Sequence, residues 1–223
     1  GNIIANAYQK VGKDGVVLME TSETDETYVD VVDGVQVDCG LTSPHFVTDN
    51  EKQRVVLENP LILIVGSEIP NVRKIQNILE FVIKNNRSLL IVAPVSQQVK
   101  SALLMNKVKG NIKVNIIDLP GFGPTKQDTI KDLAILTGAK LINEELGDDL
   151  DGVSLDILGE AEKAVTDDNN TVLTLENIVP GVSERIKEVK KLHKDEKNGF
   201  IKKKIEQARD CLFSLREWNT RMT

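Results

Sequence analysis

The chain has 223 residues, with 28 Lys or Arg against 34 Asp or Glu, which gives a formal net charge of −6. This length lets a core of ordinary size be buried without disulfides or metals. The acidic balance argues against a nucleic-acid partner, which needs clustered basic residues on one face. Cys39 and Cys211 lie far apart and outside any C-x-x-C spacing, which argues against a zinc site or a disulfide framework. No apolar stretch approaches the roughly 20 residues that span a bilayer, so we expect a soluble protein without a membrane partner.

The first sixty residues predict a helix followed by short strands. Apolar residues recur at helical spacing from residue 3 to Gly12, without an initiator Met, which predicts a fragment of a longer chain. A strand is predicted at 16–19, and strands at 28–32 and 35–37 flank the hairpin turn signal Asp33-Gly34.

From residue 61 the pattern alternates between strands and helices. Apolar runs at 61–65 and 89–93 predict strands covered on both faces, whereas 112–116 alternates as a half-buried strand. Pro70 suits the first turn of a helix that ends at Asn85-Asn86. The remaining predicted elements are a helix at 96–109, a helix at about 126–137, a short strand at 140–142, a hairpin with strands at 164–166 and 171–175, and an antiparallel helix pair after Pro180-Gly181.

Sequence signals for catalysis are weak. The loop 120–124 follows a strand and precedes a helix, but it lacks the Lys-Ser/Thr of a P-loop and the spacing of a dinucleotide fingerprint. The acidic residues within 144–151 could bind a hard cation, yet the ligand order of an EF-hand is missing. A small-molecule or metal-binding α/β enzyme or sensor therefore stays an alternative function.

The two central helices carry more apolar residues than one buried face can hold. On the helix at 96–109, Val99 and Leu103 share a face, while Leu104, Met105 and Val108 fall outside it. On the preceding helix, Leu79 and Ile83 form a second line beside Gln76. Two interpretations are open: both helices are embedded in a large core, or they present an apolar groove to unfolded chains, in which Met adapts to varied partners.

Several motifs resemble the group I, GroEL-type chaperonin family. The sequence DVVDGVQVDCG at 30–40, followed by SPHF at 43–46, resembles the family pattern DVVEGMQFDRGYLSPYF. The segments 56–63, 89–93, 120–123, 136–138 and 144–147 also stand in the family's order. The resemblance runs from about residue 1 to about residue 206 and fades in the tail at 207–223.

The resemblance implies an α/β fold with a β-sandwich-like core flanked by helices. Residues 1–32 would be part of the intermediate (hinge) domain, 33–181 the apical polypeptide-binding domain, and 182–223 the C-terminal helices leading back to the hinge. It implies a chaperone module that is not itself an enzyme, because ATP and Mg are expected only in the full-length ring. The implied partners are non-native polypeptides, the co-chaperonin lid and other ring subunits, in a mitochondrion, a plastid or the bacterial cytoplasm.

The family's binding residues fall on the segment after Gly40 and on the two central helices. The segment departs from the family, which has aromatic residues at Leu41 and His45, and Gln76 and Lys100 replace apolar family residues, so we expect a more polar groove. The residues implied to bind substrate or lid are Leu41, His45, Phe46, Gln76, Leu79, Ile83, Lys100, Leu104, Met105 and Asn106.

Overall fold

The computed structural model describes residues 35–121, 123–144, 147–148, 150 and 155–175. The chain divides into two compact units, one formed by Gly1–Val35 with Pro180–Thr223 and the other by Gln36–Val179. The helix and strands predicted before residue 35, and the helix pair predicted after Pro180, lie outside the described residues. Their assignment to a hinge domain stays a prediction.

The described part has a mixed α/β fold with two four-stranded sheets. Short 3-10 turns form at Pro44–Phe46, Val72–Ile75 and Leu155–Ile157. In chain order, the strands and α-helices are β1 (Val35–Val37), β2 (Val55–Glu58), β3 (Pro60–Ile64), α1 (Gln76–Lys84), β4 (Ser88–Val92), α2 (Gln97–Val108), β5 (Lys113–Ile117), α3 (Gly123–Thr137), β6 (Gly159–Glu160), β7 (Lys163–Thr166) and β8 (Thr171–Thr174).

The sheet that carries the central helices has the order β5-β4-β3-β6. β3, β4 and β5 run parallel, and every residue of β3 and β4 is buried, as the continuous apolar runs predict. The connections through α1 and α2 both step in the same direction along the sheet. Because such crossovers are right-handed, the two helices lie side by side on one face.

The other sheet has the order β1-β8-β7-β2, with β2, β7 and β8 antiparallel. β2 lies close to β4 and β5, and α3 packs on β3 and β6. With α1 and α2 on one face of the parallel sheet, β2 and its neighbours cover the other face. The two sheets therefore bury a shared core.

The prediction of a half-buried strand at 112–116 is wrong. The strand runs from Lys113 to Ile117, and only Lys113 is exposed. Asn115, whose polarity suggested a solvent-facing position, is fully buried and donates a hydrogen bond from Nδ2 to Thr166 Oγ1 at 2.9 Å. The strand is covered on both faces, and its polar residue is bonded across the sandwich to β7.

Asn115 also provides a hydrogen-bond acceptor for the backbone at the edge of the parallel sheet. Because β5 is an edge strand, the Ile116 backbone lacks a second strand partner. Asn115 Oδ1 accepts a hydrogen bond from the Ile116 amide at 2.9 Å, and Thr42 Oγ1 donates one to the Ile116 carbonyl at 3.0 Å. Side chains thus replace the hydrogen bonds of a missing strand.

Several predicted boundaries shift. Pro70 is not in the first turn of α1, because Asn71 caps the 3-10 turn Val72–Ile75 and the α-helix begins only at Gln76. α3 begins at Gly123, three residues earlier than expected. The strand predicted at 140–142 is reduced to one bridge between Ile142 and Val65.

The hairpin of β7 and β8 is confirmed, with Thr166 opposite Thr171. Its turn is stabilised by Asp167, whose side-chain oxygen accepts hydrogen bonds from the backbone amides of Asn169 and Asn170 at 2.8 and 2.6 Å. Such side-chain bonding is typical of Asx turns.

Candidate functional site

Residues 41–47, called the strap below, run beside α2 at the edge of the parallel sheet. The strap begins after Gly40, where a Cβ atom would lie 2.0 Å from the Asp168 carbonyl oxygen, so no larger residue fits. The Leu41 amide donates to the Asp167 carbonyl at 3.0 Å, and Thr42 is bonded to the edge strand β5. These contacts fix the start of the strap on both sheets.

Two lysines of α2 bind the strap backbone. Lys100 Nζ donates to the Thr42 carbonyl at 3.2 Å. Lys107 Nζ donates to the His45 and Val47 carbonyls at 2.8 and 2.9 Å. Seven residues are close to two helical turns, so both ammonium groups lie on the same side of α2. Partial burial lowers the pKa of Lys107 below its usual value, because water is removed from the charged ammonium.

The 3-10 turn of the strap buries an aromatic residue. Ser43 caps this turn, accepting from the His45 amide through its hydroxyl and from the Phe46 amide through its carbonyl. The Phe46 side chain has no exposed surface, while His45 is exposed and Leu41 half-buried. Phe46 is thus a core residue in this conformation, contrary to the expectation that it offers an apolar contact to a partner.

The apolar residues of α2 divide between core and surface, which their spacing alone left open. Val99 and Leu103 are buried, and Leu104 is half-buried. Met105 is 61% exposed and Val108 is 80% exposed. The interpretation that all of them belong to one large core is wrong for Met105 and Val108.

α1 shows the same division with fewer exposed residues. Its Ile78 and Val82 are buried, and Leu79, at 8% exposure, also belongs to the core rather than to a second exposed line. Ile83 is 46% exposed. Gln76 is exposed, and its Nε2 donates to Glu80 Oε1 one turn later at 2.7 Å. Of the two apolar residues predicted beside Gln76, only Ile83 is clearly accessible.

The exposed apolar residues lie at one end of the helical layer. α1 and α2 connect parallel strands, so both run antiparallel to them and end near the beginnings of β4 and β5. Ile83, Met105 and Val108 all lie in the last turns of these helices. Four large hydrophobic side chains are exposed among the described residues, and these are three of them; the fourth is Leu155, at 39%.

The remaining predicted residue, Asn106, is exposed on α2. Its Nδ2 donates to the Ala102 carbonyl at 2.9 Å, and its Oδ1 accepts from Asn111 Nδ2 at 3.4 Å. Asn106 therefore connects the end of the helix to the turn that leads to β5.

Charged side chains in and beside the loops considered for phosphate or metal chemistry are bonded to other residues of the domain. Lys126 Nζ pairs with Asp118 at 2.8 Å beside the loop that contains Gly121, and Lys74 pairs with Glu144 at 3.2 Å. Asp148 accepts a hydrogen bond from the Asn143 amide at 3.0 Å. Over the described ranges, no group of three His, Cys, Asp or Glu side chains is placed to hold a metal ion.

Sequence reasoning missed Lys107 and Thr42. The spacing of Lys100 and Lys107 is visible in the sequence and predicts that both lie on one side of a helix. Their acceptors, however, are backbone carbonyls about sixty residues earlier, and no residue type marks those positions. The strap is therefore positioned by contacts that only the folded chain brings together.

No protein-family model matches this chain. In the part that the structure describes, no helix is long and apolar enough to cross a bilayer.

Proposed function

We propose that this chain is the polypeptide-binding part of a GroEL-type chaperonin, and that it holds non-native polypeptides and the mobile loop of a co-chaperonin lid. One observation carries the proposal: Met105 and Val108 project from the last turns of α2 with most of their surface exposed. Clustered apolar exposure of this kind is typical of interaction sites.

The exposed apolar residues of α1 and α2 suit the binding of apolar segments of varied sequence. Met105 has an unbranched, polarizable side chain that can adapt to partners of different shape. Leu104 lies half-buried beside it, and Ile83 extends the apolar surface onto α1. Such a surface can receive an extended or helical segment through its apolar side chains, without requiring a particular sequence.

The two polar departures from the family pattern are bonded within the domain. Gln76 is bonded to Glu80, and Lys100 to the Thr42 carbonyl. A partner that displaced these hydrogen bonds would leave polar groups unsatisfied. We therefore assign most of the binding energy to Ile83, Leu104, Met105 and Val108, and a smaller share to His45 and Leu41.

Rigidity supports the same assignment. The strap is hydrogen-bonded to both sheets and to α2. At the start of α2, the Ser96 hydroxyl oxygen accepts a hydrogen bond from the Val99 amide at 3.3 Å and caps the helix. A surface held in place loses less conformational entropy when a partner binds. In this proposal the ATP-driven steps and ring assembly belong to the full-length protein, in an organelle or the bacterial cytoplasm.

The test is binding of a fluorescent, permanently unfolded polypeptide, and of a lid-loop peptide, to wild type and to the double variant Leu104→Ser/Met105→Ser. We expect binding to weaken at least tenfold, because two apolar contacts are lost at about 1 kcal/mol or more each. Leu155→Ser is the matched control, since it removes an exposed apolar side chain elsewhere in the fold, and it should bind as wild type does.

Thermal melts separate this proposal from its rivals. Because Met105 is exposed and Leu104 only half-buried, the double variant should lose clearly less stability than Leu103→Ser, which, at a buried position of the same helix, should be destabilised by about 3 kcal/mol or more. Wild type that binds neither probe would contradict the proposal. A melting shift caused by a nucleotide, a small metabolite or a divalent cation would favour the enzyme or sensor alternative instead.

A further inference from the structure

The segment 81–117, which runs from the end of α1 through α2 and β5, carries charged side chains of positive sign only. Residues 81–117 contain no Asp or Glu, in a chain whose formal net charge is −6. A long basic stretch inside an acidic chain concentrates positive charge on one part of the surface. Its charged residues are Lys84, Arg87, Lys100, Lys107, Lys109 and Lys113.

Half of these side chains have roles within the domain. Arg87 pairs with Glu160 at 3.2 Å, while Lys100 and Lys107 bind the strap carbonyls. Lys84, Lys109 and Lys113 are exposed, and no described carboxylate forms an ion pair with them. In the turn that follows the strap, Asp49 is paired with Arg54, and Glu51 is exposed.

Two of these three lysines, Lys84 and Lys109, lie at the same end of the helical layer as the exposed apolar residues. Lys109 follows Met105 by four residues and caps the end of α2, so it lies on the same side of the helix. Lys84 follows Ile83 directly in the last turn of α1. Lys113 begins β5, but it shares the strand face of Asn115, which bonds to β7, so its side chain points to the face of the sheet opposite α2. The apolar surface is thus bordered by two ammonium groups, those of Lys84 and Lys109.

We propose that this surface selects polypeptide segments in which Asp or Glu residues flank the apolar anchors. The inference rests on the proposed function and names the substrate class for the same site. Met105 and Val108 would bury the anchors, while Lys84 and Lys109 would attract the flanking carboxylates. Complementary charge of this kind mainly raises the association rate and discriminates against basic partners.

The composition of the surface favours a polypeptide over a nucleic acid. Single-stranded nucleic acids are held by a basic groove together with aromatic side chains on which bases stack. None of the exposed large hydrophobic residues among the described positions is aromatic. Aliphatic side chains provide an environment for apolar side chains of a peptide and little for a phosphate backbone.

The experiment compares three fluorescein-labelled peptides that share one apolar core and carry Glu, Ser or Lys residues on both flanks. With the full chain, we expect the Glu-flanked peptide to bind about tenfold more tightly than the Lys-flanked one, with the Ser-flanked peptide between them. The difference should shrink at high salt, because the Debye length falls from about 30 Å at 0.01 M to about 3 Å at 1 M.

Variants locate the effect on the surface. Lys109→Glu, alone and combined with Lys84→Glu, should weaken the Glu-flanked peptide and strengthen the Lys-flanked one. Lys109→Gln removes the charge with less strain on the helix end and should give an intermediate result. Lys131→Glu on α3 is the control, since it changes the net charge equally at another exposed position, and it should leave the order of affinities intact.

Each outcome has a distinct meaning. Equal affinity for the three peptides would overturn the charge selection while leaving the holding function in place. No binding of any of the three would instead refute the proposed function itself. Displacement of the Glu-flanked peptide by a single-stranded RNA oligonucleotide, with loss of RNA binding in Lys109→Glu, would assign the surface to nucleic acid and overturn the inference.

Discussion

Replacing Asn115 by Leu tests the packing of the two sheets that support the site. Leu has the same branched arrangement of heavy atoms as Asn, with bulkier methyl groups, but cannot bond to Thr166 or to the Ile116 amide, which Asn115 reaches at 2.9 Å each. If burial of an apolar side chain were all that this position required, the variant would be at least as stable as wild type. The hydrogen bonds predict the opposite.

The magnitude follows from the groups left behind. The buried Ile116 amide loses its acceptor, which costs about 1–3 kcal/mol, and the bond to Thr166 contributes about 1 kcal/mol more. Thr166 keeps a neighbour, since the Thr171 hydroxyl lies 3.1 Å away. Added apolar burial offsets about 1 kcal/mol. We expect Asn115→Leu to lower the free energy of unfolding by about 1–3 kcal/mol.

Urea denaturation followed by circular dichroism measures this loss, which corresponds to a midpoint about 1 M lower for a slope near 2 kcal/mol/M. Asn111→Leu, at an exposed position in the turn before β5, is the control and should stay within about 0.5 kcal/mol of wild type. A double-mutant cycle with Thr166→Val should give a coupling of about 1 kcal/mol. An Asn115→Leu variant as stable as wild type would refute the reasoning.

Two further predictions concern Cys39 and Lys107. Burial raises the pKa of the Cys39 thiol from 9.0 to about 11, so the unfolded chain releases this proton first and stability is lost as pH rises from about 9 to 11. Urea titrations should show that wild type loses about 2–3 kcal/mol more stability than Cys39→Ala over this pH range. Equal losses in the two proteins would contradict the assignment of the pH dependence to Cys39. Lys107→Met keeps the apolar stem of the side chain but removes the hydrogen bonds to the His45 and Val47 carbonyls. The Phe46 and Val47 amides should therefore exchange hydrogen several-fold faster, while the β4 amides keep their exchange rates. Unchanged exchange in the strap would show that the Lys107 ammonium does not hold the strap in place.

The parallel sheet could be predicted from the sequence because its signals are local. The runs at 61–65 and 89–93 are apolar throughout and about five residues long, which fits strands covered on both faces. The end of α2 was equally visible, since Gly110 follows Lys109 and adopts a positive φ of 73°. For such elements, the residues that determine the structure lie within the element itself.

β5 and the strap could not be predicted, because their environment is built by distant residues. Asn115 is buried since Thr166, 51 residues later, accepts its hydrogen bond. Phe46 is buried because the strap folds back beside α2, which its own sequence does not specify. Leu79 likewise lies on the boundary between two helix faces, where the packing of neighbouring elements decides burial. Spacing placed Met105 and Val108 outside the buried face of α2 but left open whether a larger core covers them, and the structure shows both exposed.

The most direct test of the central claim uses the methionine methyl groups as reporters. The chain has three methionines, Met19, Met105 and Met222, and the methyl signal of Met105 can be assigned with Met105→Leu. On addition of an unfolded polypeptide to chain labelled with ¹³C at its methionine methyls, we predict that the Met105 signal shifts or broadens. Saturating binding without any change at Met105 would contradict the claim that α2 holds the polypeptide.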